Sequence, residues 1–236
     1  MEASADDETR RELLSPPDPL PLTDEGDSTE IDPPRYSGPK IFLIRHAHED
    51  GPKDPYRGRP LSVLGRRQAE ALARRMADWQ LDALICSDTY RAFETASAVH
   101  AFHPGVPMVV DPTFREVSTS MLAACERGDP AQSGLHDRLE AAWSKIVTTP
   151  YGAIAIFIHN GMIRYLLGRA LKYERNPRPP IHCMLTGVSA LQVKSKGRAD
   201  VRFINDTRHL TPDLVPDDKT WVEDVETGRW CFGPGQ

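Results

Sequence analysis

Between residues 40 and 210 the chain alternates short apolar runs with longer stretches of helical periodicity, and this alternation narrows the fold more than any other feature. Ile41-Phe42-Leu43-Ile44, Leu84-Ile85-Cys86, Met108-Val109-Val110 and Ala153-Ile154-Ala155-Ile156-Phe157-Ile158 have strand length and no polar interruption, as strands covered on both faces should. Helical stripes separate them. Leu72, Met76 and Trp79 repeat at i, i+4 and i+7 behind Ser62, a residue type suited to an N-cap, and residues 91–102 predict a second helix. Leu135, Leu139, Trp143 and Ile146 form a further stripe, and a helix through residues 162–171 follows the fourth apolar run. Residues 188–193 and 201–204 have the β-branched or alternating character of closing strands, while residues 118–134 read as a polar stretch rich in Gly, Ser and Ala. Strands alternating with amphipathic helices predict a three-layer α/β/α sandwich with a mostly parallel central sheet.

That class fixes where chemistry can sit. In an open parallel sheet, ligands bind outside the carboxyl ends of the strands. Arg45-His46, residues 87–91, Glu116 and His159 each fall just past a predicted strand, so they share one rim although they are far apart in sequence. Cleaving a phosphate ester needs cations that fork onto phosphate oxygens, a nucleophile active near neutral pH and a proton for the leaving oxygen. Arg45, Arg91 and a loop arginine, Arg57 or Arg59, supply the first. His46 and His159 supply the second, and Glu116 the third, with Glu49, Asp50 and Asp88 as competing carboxyls.

Five segments occur in order: Ile44-Arg45-His46, Leu61-Ser62-x-x-Gly65-x-x-Gln68-Ala69, Ser87-x-x-x-Arg91-Ala92-x-x-Thr95-Ala96, Arg115-Glu116 and Ile158-His159-x-Gly161-x-Ile163-Arg164. Together they closely resemble the histidine phosphatase, or phosphoglycerate mutase-like, superfamily, over residues 40–210. The resemblance implies a covalent phosphohistidine on His46 and a phosphate pocket lined by Arg45, Arg91 and His159. It also implies proton donation by Glu116 and a further phosphate contact from Arg59, with Arg57 its close competitor, and it calls for no cofactor. Ala47 stands where the family usually has Gly, and Asn160 where Gly or Ala commonly follows the second histidine. The stretch from His159 to Leu171 looks like the mitochondrial branch of protein serine/threonine phosphatases. The segment Asn205-Asp206-Thr207-x-His209-Leu210 resembles the end of many small-molecule phosphatases. Mutases of the superfamily carry a long insertion with an E-R-H-Y segment; residues 117–134 are short and lack it. Hydrolysis is therefore expected, in an open pocket that takes a phosphoprotein or a small phosphometabolite.

The remaining sequence sets the surroundings. Residues 1–39 read as a flexible acidic, proline-rich tail, residues 40–215 as the phosphatase domain and residues 216–236 as a C-terminal extension. A net charge of -5 argues against a general nucleic-acid binder. Cys86, Cys125, Cys183 and Cys231 lack zinc-ligand spacing and read as reduced thiols. No run approaches the roughly 20 apolar residues of a membrane span, and the acidic start does not look like a leader, so a cytoplasmic location without membrane partners is expected. Two rival readings stand beside the main one. His46-x-His48-x-Asp50 resembles part of a zinc-pair motif of metal-dependent hydrolases, although Gly51 occupies the place of a required histidine. The same fold also serves as a phosphate-binding module without turnover. His48 reads as a loop residue; His100, His103, His136, His182 and His209 read as structural.

Overall fold

The computed structural model describes residues 38–173, 181, 183–194, 197–215, 221–224 and 229–232. The tail expected over residues 1–39 lies outside these except for its last two residues, and so does His182. Strand β1 (Lys40–Arg45), helix α1 (Val63–Met76), strand β2 (Ala83–Cys86), helix α2 (Tyr90–His100) and strand β3 (Met108–Val110) come first. Helices α3 (Thr119–Glu126) and α4 (Leu135–Val147), strand β4 (Ala153–Ile158), helix α5 (Asn160–Ala170) and strands β5 (Val188–Lys194) and β6 (Arg198–Asp206) follow. These six strands make one sheet in the order β3-β2-β4-β1-β5-β6. The first four in that order are parallel; β5 runs antiparallel to β1, and β6 to β5.

The sequence dictates the layering because successive strand residues face opposite sides. On one face Ile41, Leu43, Ile154, Ile156 and Ile158 are buried with Leu139, Ile146, Ile163 and Leu166 of α4 and α5. On the other, Ile44, Ala155 and Phe157 are buried with Leu72, Met76, Ala96 and Val99 of α1 and α2. Each fully buried Ile, Leu or Phe contributes about 1.5–3 kcal/mol, so β1 and β4, apolar on both faces, anchor the sheet. The functional rim hangs from the ends of these two strands. The three-layer sandwich expected from the alternation is the architecture found.

Local details differ from the sequence reading. Trp79 is not on α1: the helix ends at Met76, and Trp79 N–H donates to the Met76 carbonyl at 2.9 Å, which turns the indole onto Phe42 at 4.6 Å between ring centroids. Residues 118–134 carry helix α3, where Ser118 Oγ accepts from Met121 N–H at 3.1 Å. Leu122 is buried there and Met121 and Cys125 pack beside it, a short apolar cluster masked by the polar average of the segment. Within the C-terminal extension, strands β7 (Trp221–Asp224) and β8 (Arg229–Phe232) pair antiparallel as a separate two-stranded sheet. No helix among the described residues is long and apolar enough to cross a membrane.

Candidate active site

The parallel pairing of β1 and β4 delivers two histidines side by side. Arg45 pairs with Ile158, and His46 N–H donates to the Ile158 carbonyl at 2.9 Å, so His46 and His159 leave the sheet together. Their ring centroids are 5.2 Å apart. Ser87 continues β2 in the same way, its N–H donating to the Phe157 carbonyl at 3.1 Å, and Thr89 and Arg91 follow at the start of α2. Glu116 arrives from β3 through a short 3-10 turn over Pro112–Phe114.

His46 is only 6% exposed. Its Nδ1 lies 2.8 Å from the Ala47 carbonyl, and a carbonyl can only accept. Nδ1 therefore carries the proton, and Nε2 is left as the lone pair. Burial holds the imidazole well below its usual pKa, and the charges of His159, Arg45 and Arg91 push the same way, against the Ala47 carbonyl. The result is a neutral imidazole with a fixed tautomer. Ala47 itself is anchored: its N–H donates to Thr95 Oγ1 at 3.0 Å, and the Thr95 hydroxyl donates to the Arg91 carbonyl at 2.6 Å. Ala47 is fully buried, and its methyl is accommodated where the superfamily pattern has Gly.

His159 is wholly buried, with Nε2 3.0 Å from Ser87 Oγ and 3.5 Å from Thr89 Oγ1. Burial lowers its pKa well below the usual value, reinforced by Arg91, Arg45 and Arg138. Its Nδ1 and the Nε of Arg91 are buried without a hydrogen-bond partner among the described residues. Native proteins rarely leave such atoms unsatisfied, so two of them in one pocket mark a place for a polar ligand. Arg91 Nη1 donates to Glu49 at 3.1 Å, while Arg45 Nη1 donates to the Cys183 carbonyl at 2.7 Å. Asn160 Oδ1 accepts from the Cys183 N–H at 3.4 Å, so this departure from the superfamily pattern tethers the segment beneath Arg45.

Glu116 Oε1 accepts from the N–H groups of Val117 at 2.8 Å and Gly161 at 3.0 Å. Burial raises its pKa even though those two donors and the charges of Arg91 and Arg45 oppose the shift. The competing carboxyls are otherwise engaged. Glu49 is paired with Arg91, Asp88 with Arg115 at 2.5 Å, and the exposed Asp50 accepts from the N–H of Gly51. Arg138 was not legible as a site residue. It sits in α4 and donates to the carbonyls of Arg115 at 2.7 Å and Glu116 at 3.1 Å, fixing the segment that carries Glu116. Its only sequence signal is a cation within an otherwise apolar helical stripe. Beside Glu116 a groove of about 740 Å³ is lined by Arg115, Arg138, Met121, Gln132 and Asp137.

The second motif builds the floor of the loop after His46. Ser62 caps α1 by accepting from Gly65 N–H at 2.9 Å, and its own N–H donates to the His48 carbonyl at 3.0 Å. Gln68 Oε1 accepts from His48 N–H at 2.8 Å. A Cβ at Gly65 would lie 1.9 Å from the His48 carbonyl oxygen, so only glycine lets the helix seat here. Farther along the loop, the exposed Arg57 guanidinium lies 5.2 Å from the Tyr90 ring centroid, and Arg59 Nη1 donates to the Gly51 carbonyl. Gly58, between the two arginines, lies against Arg91: a Cβ there would fall 2.5 Å from its Nη1. The His46-x-His48-x-Asp50 run is not gathered around one point, since His46 Nδ1 turns to Ala47 and His48 Nδ1 to Ser62 Oγ at 2.8 Å. Among the described residues no three His, Cys, Asp or Glu side chains are placed to hold a metal ion.

A family model described as histidine phosphatase superfamily (branch 1) matches residues 41–132 and 118–207. The human mitochondrial serine/threonine-protein phosphatase PGAM5 is 28% identical over 192 residues, covering 74% of this chain. The chain thus spans 65% of that relative's length. A probable phosphatase of Schizosaccharomyces pombe is 25% identical over 201 residues, covering 72% of this chain and 95% of that protein. Among solved structures, YhfR of Bacillus stearothermophilus superposes with a TM-score of 0.58 at 20% identity, covering 72% of this chain and 98% of that one; it shares the fold.

Proposed function

The chain belongs to the histidine phosphatase superfamily, and from that premise we propose that it hydrolyses phosphomonoesters through a phosphohistidine on His46. The observation that carries this reading is the tautomer: the Ala47 carbonyl fixes the proton on Nδ1, which leaves Nε2 to attack phosphorus. Arg45 and Arg91 hold the non-bridging oxygens, and His159, whose Nε2 lies 3.0 Å from Ser87 Oγ, turns its unpartnered Nδ1 to one of them as an N–H donor. As the N–P bond forms, the P–O ester bond breaks and Glu116 gives its proton to the leaving oxygen. Water then attacks the phosphohistidine, losing a proton to the Glu116 carboxylate as the P–N bond breaks. Phosphate leaves, and both side chains return to their starting forms.

The groove beside Glu116 is the candidate place for the part of the substrate beyond the ester oxygen, because Glu116, which would protonate that oxygen, is part of its lining. Serine and threonine phosphates in proteins are one substrate class, supported by the likeness to the mitochondrial serine/threonine-protein phosphatases; small phosphometabolites are the other. A panel of phosphopeptides and phosphometabolites, with His46→Ala as blank, separates them. A hundredfold preference for one small metabolite would end the phosphoprotein reading. The chemical step is tested by rapid quench with an aryl phosphate. Acid-labile, base-stable phosphate should appear on the wild-type chain, and its absence during turnover would sink the mechanism. Activity that disappears in excess chelator and returns with zinc would favour the metal-dependent rival. Cell fractionation tests the expected cytoplasmic location against the mitochondrial one of the relatives.

A further inference from the structure

The Asn205-Asp206-Thr207-x-His209 segment takes no part in the steps above, yet its side chains converge on the turn that holds Arg45. Three contacts tie Arg45 to residues 183–187. Its carbonyl accepts from Thr186 N–H at 3.1 Å, its N–H donates to the Gly187 carbonyl at 3.3 Å, and its Nη1 donates to the Cys183 carbonyl at 2.7 Å. The turn has an unfavourable backbone. Thr186 is fully buried with φ of 56°, a left-handed conformation that a β-branched residue adopts only when its surroundings enforce it.

The enforcing groups form one directional network. Thr186 Oγ1 donates to the Leu185 carbonyl at 2.7 Å, so towards His209 Nε2, 2.9 Å away, it accepts. His209 Nε2 therefore carries the proton, and Nδ1 accepts from Arg75 Nη1 at 3.3 Å. Arg75 is held in turn by both Asp206 oxygens, at 2.6 and 3.1 Å. Asn205 Oδ1 accepts from Met184 N–H at 2.7 Å and lies where a Cβ on Gly187 would fall, 2.3 Å away. Every member has a partner whose donor or acceptor role fits.

We infer that Arg75, Asn205, Asp206 and His209 are positioning residues that hold the strained Thr186 turn and thereby aim the Arg45 guanidinium at the phosphoryl group. The inference rests on the phosphate chemistry proposed for Arg45, and the experiment separates the two. Orthovanadate binding to the full chain is measured by calorimetry for wild type, His209→Ala, His209→Gln, Thr186→Gly, Arg45→Ala and the Arg45→Ala/His209→Ala double variant. His209→Ala should weaken binding about tenfold, the scale of one lost buried hydrogen bond. His209→Gln keeps an N–H donor and should recover most of the loss. In the Arg45→Ala background the same His209→Ala change should cost less than about twofold, because the group it positions is gone. Thr186→Gly relieves the positive-φ strain but removes the hydroxyl that His209 holds, and it should bind vanadate more weakly. The inference is overturned by unchanged affinity in His209→Ala, or by an equal loss with and without Arg45. If His209→Ala fails to fold, Thr186→Gly decides in its place: unchanged vanadate affinity, or an equal loss with and without Arg45, overturns the inference. A wild-type chain that binds no vanadate would instead remove the phosphate pocket itself.

Discussion

Replacing Gly65 by alanine tests whether the seat of α1 sets the geometry of the nucleophile loop. The added Cβ would lie 1.9 Å from the His48 carbonyl oxygen, 2.9 Å from its carbon and 3.1 Å from its nitrogen. That is short of normal contact by about 1.5 Å, and the atoms in the way are backbone. They cannot swing aside, because the His48 carbonyl accepts from Ser62 N–H and the His48 N–H donates to Gln68. Overpacking of this kind costs ~1–3 kcal/mol, and one disturbed hydrogen bond ~1 kcal/mol, against a gain of ~1 kcal/mol from the better helix propensity of alanine. The net is about 2 kcal/mol, or about 4–8 °C in Tm for a domain of this size. The displaced loop begins at His46, and a misplacement of about 1 Å at a reacting group can cost about a hundredfold in rate. Thermal melts followed by circular dichroism, with kcat/KM on nitrophenyl phosphate, measure both effects. Gly105→Ala is the control, since its Cβ would meet nothing within 4 Å. A Gly65→Ala chain that melts and turns over like the control would refute the reasoning.

His46→Ala should abolish turnover and phosphoenzyme formation, because the other imidazole, His159, faces Ser87 and Thr89 through its Nε2; residual phosphohistidine in the quench assay would move the nucleophile elsewhere. Glu116→Gln should slow alkyl phosphates by about 10²–10⁴ and nitrophenyl phosphate far less, the latter needing little protonation; equal losses on both would reassign the acid. Asp206 is held well below its ordinary pKa by Arg208 and Arg75, so its stabilisation is fully present above the ordinary Asp range and is lost as pH falls through its depressed folded value. Asp206→Asn should therefore cost about 2 kcal/mol in urea denaturation at neutral pH, with the difference from wild type shrinking in acid; a pH-independent difference would contradict this.

What the sequence made legible was the part carried by strong local signals. Runs such as Ala153–Ile158 read as buried strands, and their ends put Arg45, His46 and His159 on one rim. Gly65 and Gln68 were visible as motif letters, but their reasons are long-range: one abuts the His48 carbonyl and the other bridges His48 N–H to the Leu214 carbonyl. Arg138 and the Thr186 turn were missed because little local marks them: a cation in an apolar stripe for Arg138, and nothing for Thr186. Their roles lie in carbonyl contacts with segments more than twenty residues away for Arg138, and in a backbone angle for Thr186. Helix α3 was hidden for another reason. The polar residues around it in 118–134 outweighed Met121, Leu122 and Cys125, which decide its packing.

The electrostatics of the pocket imply that the substrate sets the protonation of its own acid. In the free chain burial raises the Glu116 pKa, while the positive charges of Arg91 and Arg45 restrain it. A bound phosphate dianion neutralises those guanidinium groups and adds like charge beside the carboxyl, and both effects favour the protonated acid. The Glu116 pKa should therefore be higher in the complex than in the free enzyme. Once the leaving group has taken the proton, the carboxylate stands ready to receive one from water. The pH dependence of kcat reports groups in the complex, and that of kcat/KM reports groups in the free enzyme. With an alkyl phosphate, read above its own second ionisation near pH ~6, activity should fall as pH rises through the Glu116 value in both profiles. The falling limb of kcat should lie at the higher pH. It should disappear from both profiles in Glu116→Gln. Coincident limbs, or a limb of kcat at lower pH than that of kcat/KM, would mean that the arginines do not restrain Glu116 as their placement requires.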